Sequence, residues 1–210
     1  IGTGCAIPVC MLVGYSIERF AYRPLRGAPR LAPLITAIGI SIILQHLAML
    51  VWSRNVLAFP QILDTRTYMF GGTAITNVQI AIIAVCFAMM AGLALLVYRT
   101  PLGTAMRATA QNPQVAGLMG IDTNRIIRAT FAVGSALAAA GGILFGLDQI
   151  TINPLMGVLT GLKAFVAAVL GGIGNIRGAV LGGLLIGLAE QLTAGYLSPD
   201  YRDAITFVIL

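Results

Sequence analysis

The chain has 210 residues, 58% of them hydrophobic and only 10% charged, with a mean hydropathy of +0.92. Soluble domains carry about 45–50% apolar and about 25% charged residues, so this composition excludes a soluble globular fold, and with it disorder, collagen, a coiled coil and a small disulfide scaffold. The formal charge of +6, from 13 Lys and Arg against 7 Asp and Glu, needs no nucleic-acid partner, because membrane proteins concentrate basic residues in their cytoplasmic loops. The expectation is an all-α, polytopic helical membrane protein.

A helix crossing a hydrocarbon core of about 30 Å at about 1.5 Å per residue needs about 20 apolar residues. Runs that meet or approach this length are 1–17, 31–52, 78–98, 129–147, 158–171, 178–196 and 204 onward. About seven membrane segments are therefore expected, the first and last cut by the chain ends. The chain opens at Ile1 inside an apolar run, without Met or a basic leader, and stops at Leu210 within AITFVIL, so it reads as an internal fragment. Segment 158–171 is short and is followed by GGIGNIRG, which leaves a tilted or a broken helix open. Cys5, Cys10 and Cys86 stand in apolar runs without metal-ligand spacing; they read as small buried hydrophobes, and neither a metal nor a cofactor is expected.

Arg19, Arg23, Arg26, Arg30, Arg99, Arg107, Arg125, Arg128 and Arg177 fall in alternate loops, against Arg54, Arg66 and Arg202 in the others. The positive-inside rule then places loops 18–30, 99–128 and 172–177 in the cytoplasm and 53–77, 148–157 and 197–203 outside, which is the periplasm in a Gram-negative cell. External loop 53–77 contains Pro60, a Gly71-Gly72 pair and the β-favouring Thr67, Tyr68 and Phe70, which predict a short hairpin.

Loop 99–128 is patterned beyond a plain connector. Pro101 ends the incoming helix, and LGTAMRATAQ predicts a short helix up to Asn112. Asn112 as N-cap and Pro113 at the first helical position open a second one, which Gly120 closes in the left-handed conformation before apolar Ile121. This helix carries Val115, Leu118 and Met119. Two readings stand: an amphipathic helix resting on the membrane or its own bundle, or a coupling helix inserted into a groove of a cytoplasmic partner.

Inside the membrane the ionisable residues are the functional candidates. Lys163 is six residues from the outer end of its segment at Gly157, and Glu190 is six residues from its outer end at Tyr196. Each lies about 9 Å deep on antiparallel neighbours. They either pair structurally or face a pathway and meet a zwitterionic substrate. Gln45 and His46 read as a polar helix-packing pair. Gly142 and Gly146, Gly178 and Gly182, and Gly183 and Gly187 are each four apart, so each pair lines one helix face for close packing or for a wall against a sister subunit. There is no GxxxxGK[ST] or HExxH run, so no catalysis is expected.

The runs ERFAYRPLRG, TAIGISIILQ, MRATAQNPQVAGLMGIDTNRI and GLKAFVAAVLGGIGNIRGAVLGGLLIGLAEQL together resemble the LivH-type permease subunits of branched-chain amino acid ABC transporters. The resemblance covers essentially the whole chain. It implies an importer with a second, LivM-type permease subunit, two cytoplasmic ATPase subunits and an external substrate-binding protein. It also implies that the segment from Gly103 to Ile121 contacts the ATPase, through Arg107, Asn112, Val115, Gly117, Leu118, Gly120 and Ile121. Within the family, import of urea or short amides is the alternative; outside it, an ion-coupled secondary transporter using Asp148 and Glu190.

Overall fold

The computed structural model describes residues 2–25, 32–52, 54–59, 67–70, 73–196 and 198–209. Nine α-helices run through these residues: α1 (Gly2–Ile17), α2 (Ala32–Trp52), α3 (Asn77–Arg99), α4 (Pro101–Gln111), α5 (Pro113–Leu118), α6 (Thr123–Gln149), α7 (Met156–Leu170), α8 (Ile176–Tyr196) and α9 (Arg202–Ile209). Four short strands accompany them: β1 (Leu57–Ala58), β2 (Thr67–Phe70), β3 (Thr73–Thr76) and β4 (Thr151–Ile152). Five helical stretches are long and apolar enough to cross a membrane, namely Gly4–Leu25, Ile35–Trp52, Asn77–Arg99, Thr123–Gln149 and Ile176–Tyr196. The shorter α7 has 15 residues, about 22 Å of helix, less than an upright crossing needs. The first loop is shorter than its charges suggest. After α1 the chain continues as a π-helical turn, Glu18–Tyr22, and a 3-10 turn, Arg23–Leu25, because charged side chains end the apolar run without interrupting backbone hydrogen bonding.

The chain divides into two compact units, residues 1–154 and 155–210. In the first, α1 packs along α6. A side chain at Gly14 would collide with Ser135 on α6, so the missing Cβ lets the two helices approach. Tyr22 packs on Phe131 with ring centroids 5.0 Å apart. At one end of α6, β1 pairs antiparallel with β4, Leu57 opposite Ile152, and the Phe59 amide donates to the Ile150 carbonyl at 2.8 Å. Residues 57–59 and 150–152 thus meet at the same end of the unit. The expected hairpin is present: β2 pairs with β3, Phe70 opposite Thr73. Pro60, Gly71, Gly72, Arg26, Arg30 and Arg66 lie outside the described residues. α3 starts in a capping box, where Gln79 Oε1 accepts from the Thr76 amide at 3.2 Å.

In the second unit, α7 and α8 form an antiparallel hairpin and α9 folds back onto α8. The glycine-rich turn has a specific shape: Gly172 and Gly174 adopt φ of +88° and +95°, positions an L side chain rarely tolerates. Asn175 Oδ1 accepts from the Gly178 amide at 3.2 Å, capping the first turn of α8. Val166 and Ile186 are buried between these helices.

Among the described residues Ala116, Val166 and Ile186 are the only buried hydrophobic side chains, while Leu50, Ile43, Leu95 and Leu184 are exposed along the long helices. At roughly 25 cal/mol per Å² of apolar surface, water is an untenable solvent for such faces; lipid or neighbouring helices cover them. The expectation of buried cysteines is corrected on the same grounds. Cys5 and Cys86 are exposed and Cys10 half-buried, since apolar surroundings here are provided outside the chain.

Candidate functional site

Two places gather the candidate residues. The first is the cap formed by α4 and α5 across the end of α3 and α6 opposite the β1–β4 pair. Thr100 accepts from the Gly103 amide at 3.1 Å and Pro101 occupies the first helical position, starting α4. A side chain on Gly103 would run into the backbone of Leu96 and Val97, so glycine permits α4 to fold back on the last turn of α3. Arg107 lies over the Tyr98 ring, 5.6 Å from its centroid, and ties α4 to α3.

α5 is built by its caps. Asn112 Oδ1 accepts from the amides of Gln114 (3.0 Å) and Val115 (3.2 Å). At the other end Gly120, at φ +84°, donates to the Gly117 carbonyl, and the Ile121 amide donates to that of Ala116, the double bond pattern of a Schellman ending. Ala116 is buried, whereas Val115, Leu118 and Met119 are 52%, 86% and 79% exposed. Nothing lies within 4 Å of where a Gly117 side chain would begin. Asn112, Gly120 and Ile121 therefore shape the helix, and Val115, Gly117 and Leu118 form a small apolar surface directed away from the chain.

The second place is an ion network in the α7–α8–α9 unit. Lys163 Nζ stands 2.8 Å from Glu190 Oε1 and 2.8 Å from Asp203 Oδ1. Arg202 Nε is 3.5 Å from Glu190 Oε2, and the Thr206 hydroxyl donates to Glu190 Oε1 at 2.6 Å. The Glu190 side chain is only 7% exposed, against 23% for Lys163 and about half for Arg202 and Asp203. Two cations and two anions balance, with the buried carboxylate at the centre, which is the condition under which a buried charge is tolerated. Sequence reasoning brings Lys163 and Glu190 together but misses Arg202, Asp203 and Thr206. Arg202 and Asp203 sit at the start of α9, where charges read as loop residues, and Thr206 lies one turn further on in the final apolar run; the fold-back of α9 supplies the contact.

The remaining candidates are dispersed. Gln45 Nε2 donates to Ser41 Oγ at 3.0 Å, and His46 Nδ1 lies 2.9 Å from the Ile42 carbonyl. Each side chain thus bonds one turn back on α2, and among the described residues neither bond crosses to another helix. Asp148 is exposed and lines a shallow cleft of about 580 Å³ with Gln79, Ile82, Leu144 and Phe145. Among the glycines, Gly178 abuts the Gly171 backbone, a Cβ on Gly182 would stand 2.5 Å from the Ala167 carbonyl oxygen, and one on Gly183 would be 3.9 Å from Ala167 Cβ. Gly146 receives the Phe59 ring, 3.1 Å from its would-be Cβ, whereas Gly142 and Gly187 face open space. Among the described residues no cluster of His, Cys, Asp or Glu could hold a metal.

A family model described as the permease component of a branched-chain amino acid transport system matches residues 1–210. BraD, a high-affinity branched-chain amino acid transport system permease protein of Pseudomonas aeruginosa, is 48% identical over 98% of this chain and 68% of its own length. LivH of Escherichia coli, of the same description, is 42% identical over the same shares. A probable branched-chain amino acid transport permease, LivM of Methanocaldococcus jannaschii, is 33% identical over 44% of this chain and 28% of its own length. No solved structure matches.

Proposed function

The chain belongs to the family of branched-chain amino acid transport permease components, and on that premise we propose that residues 1–210 act as one permease domain of an ATP-driven importer of branched-chain amino acids. It is an integral multi-pass membrane protein and a transport component rather than an enzyme. The partners of this reading are a LivM-type permease, two cytoplasmic ATPases and an external substrate-binding protein, in a bacterial inner membrane. The charge asymmetry of the loops points the α4–α5 cap to the cytoplasm and loop 53–77 outward.

The observation that carries the reading is the exposed apolar tip of α5. Val115, Leu118 and Met119 stand out on a helix whose two ends are fixed by hydrogen bonds, and whose neighbour α4 packs on both α3 and α6. A push on such a tip is transmitted as a rigid displacement to two long membrane helices. Closure of the ATPases on ATP would move residues 103–121, and the pathway beside α3 and α6 would open alternately to the two sides.

The test is leucine uptake into proteoliposomes carrying the full transporter. Uptake that requires internal ATP and the external binding protein, and persists when ion gradients are collapsed, supports the importer. Uptake that follows an ion gradient without ATP would assign the chain to secondary transport through groups such as Asp148 and Glu190. Uptake of urea in place of leucine would keep the importer and change its substrate.

A further inference from the structure

Two arginines distant in sequence converge on one hydroxyl in the first unit. Tyr15, in the last turn of α1, accepts from Arg19 Nη1 and from Nη1 of Arg128 on α6, 113 positions away, each at 3.4 Å. The two Nη1 atoms are therefore no farther apart than twice that distance. Arg128 is fixed further: its Nε donates to the Asn124 carbonyl at 3.2 Å, and its guanidinium lies over the Tyr15 ring, 5.9 Å from the centroid. Among the described residues neither arginine is paired with a carboxylate. Glu18, the acid beside Arg19, is fully buried, whereas Arg19 is exposed and Arg128 half-buried.

A neutral phenol organises two like charges but does not neutralise them, so the arrangement lacks an anion. Each guanidinium keeps unused N–H donors in a planar fork, the geometry that matches phosphate oxygens. The location specifies the anion further. Arg19 lies toward the Leu25 end of its membrane-capable stretch and Arg128 toward the Thr123 end of its own, where each purely apolar run gives way to charge, which puts the cluster near a membrane–water boundary, where tyrosine is also favoured. On the neighbouring face of α1 an apolar groove of about 430 Å³ runs between Leu12, Ser16 and Phe20 and the α2 residues Ile40 and Ile43. Such a groove accommodates an acyl chain and has no use for a free phosphate ion.

We propose that Arg19, Arg128 and Tyr15 form a binding site for the phosphate of an anionic phospholipid, with an acyl chain lying in the α1–α2 groove. The site rests on α1 and α6 being membrane helices and is independent of which substrate the transporter carries.

The full-length permease, purified with its partner subunits in detergent, is incubated with phosphatidylglycerol or phosphatidylcholine and examined by native mass spectrometry for retained lipid. The wild type should retain phosphatidylglycerol over phosphatidylcholine. Arg19→Gln and Arg128→Gln should each lower that retention about fivefold, the effect of one interfacial cation. Should these variants fail to fold, the double lysine variant, Arg19→Lys with Arg128→Lys, keeps both charges but not the forks and should still lower retention severalfold. Unchanged retention in the folded variants would overturn the proposal. So would full displacement of the lipid by millimolar inorganic phosphate, which would mark a free-phosphate site. Loss of the ATPase subunits with lipid retention intact would instead assign the arginines to an acidic partner surface, and would also overturn it.

Discussion

A methyl group at Gly182 would stand 2.5 Å from the Ala167 carbonyl oxygen, so Gly182→Ala has to separate α7 from α8. The expected cost is about 1–3 kcal/mol, typical of overpacking, read as a lower midpoint of thermal unfolding of the purified permease. Gly187→Ala, which meets open space, should leave that midpoint in place and serves as the control. The i, i+4 glycine pattern thus identifies a face in sequence but does not say which glycines touch a neighbour. Gly14 has no partner glycine four residues away, yet it admits Ser135, and only the pairing of α1 with α6 makes it visible. Glu190 carries a second prediction at this scale. Its carboxylate is buried among Lys163, Arg202 and Thr206, so Glu190→Gln should destabilise the fold by about 1–3 kcal/mol, whereas Asp203→Asn, on a half-exposed side chain, should cost less than about 1 kcal/mol. A Glu190→Gln protein of unchanged amount and stability but altered uptake would contradict this structural role and place the residue in the pathway.

Local chemistry fixes α5 more completely than any long helix. Asn112, Pro113 and Gly120 specify its start and end from sequence alone, because caps depend on neighbours within a few residues, and the hydrogen bonds of both ends follow that pattern. Asn112→Ala should weaken the helix by about 1 kcal/mol, and Gly120→Ala by about 1–2 kcal/mol, since alanine resists a φ of +84°. Both variants are expected to insert normally, which membrane fractionation checks, and to show faster amide exchange over residues 114–119. Normal exchange in both would mean that tertiary packing, and not the caps, holds α5. Longer-range features were less legible. The antiparallel α7–α8 hairpin follows from segment lengths and a short turn, but the return of α9 onto Glu190 depends on the 198–201 connection, whose 3-10 turn Pro199–Tyr201 has no strong hydropathy signature.

The scarcity of buried apolar side chains is a property of the whole molecule: the long helices expose leucine and isoleucine along their lengths, and the surrounding solvent completes the fold. Composition alone implies this, and the charge count predicts that the loops holding residues 57–58 and 151–152 share one side, as their pairing at one end of the first unit requires; which side that is rests on the charges alone. Cysteines substituted for Leu57 and Ile152, which are paired across the ladder, should therefore cross-link under oxidation in intact membranes and, kept reduced in a separate sample, react with impermeant maleimide from outside; labelling only after lysis would invert the topology. The central claim is that the exposed tip of α5 transmits the ATPase stroke. No atom lies within 4 Å of where a Gly117 side chain would begin, so Gly117→Leu is expected to keep this fold and to act on a partner docked at that face. The decisive measurement is the number of leucine molecules imported per ATP hydrolysed in proteoliposomes of the full transporter. The account predicts that Gly117→Leu leaves the permease folded and ATP hydrolysis within about twofold while import per ATP falls at least tenfold, the scale of about 1.4 kcal/mol or more of lost coupling; an unchanged ratio in a folded, fully assembled transporter would contradict it.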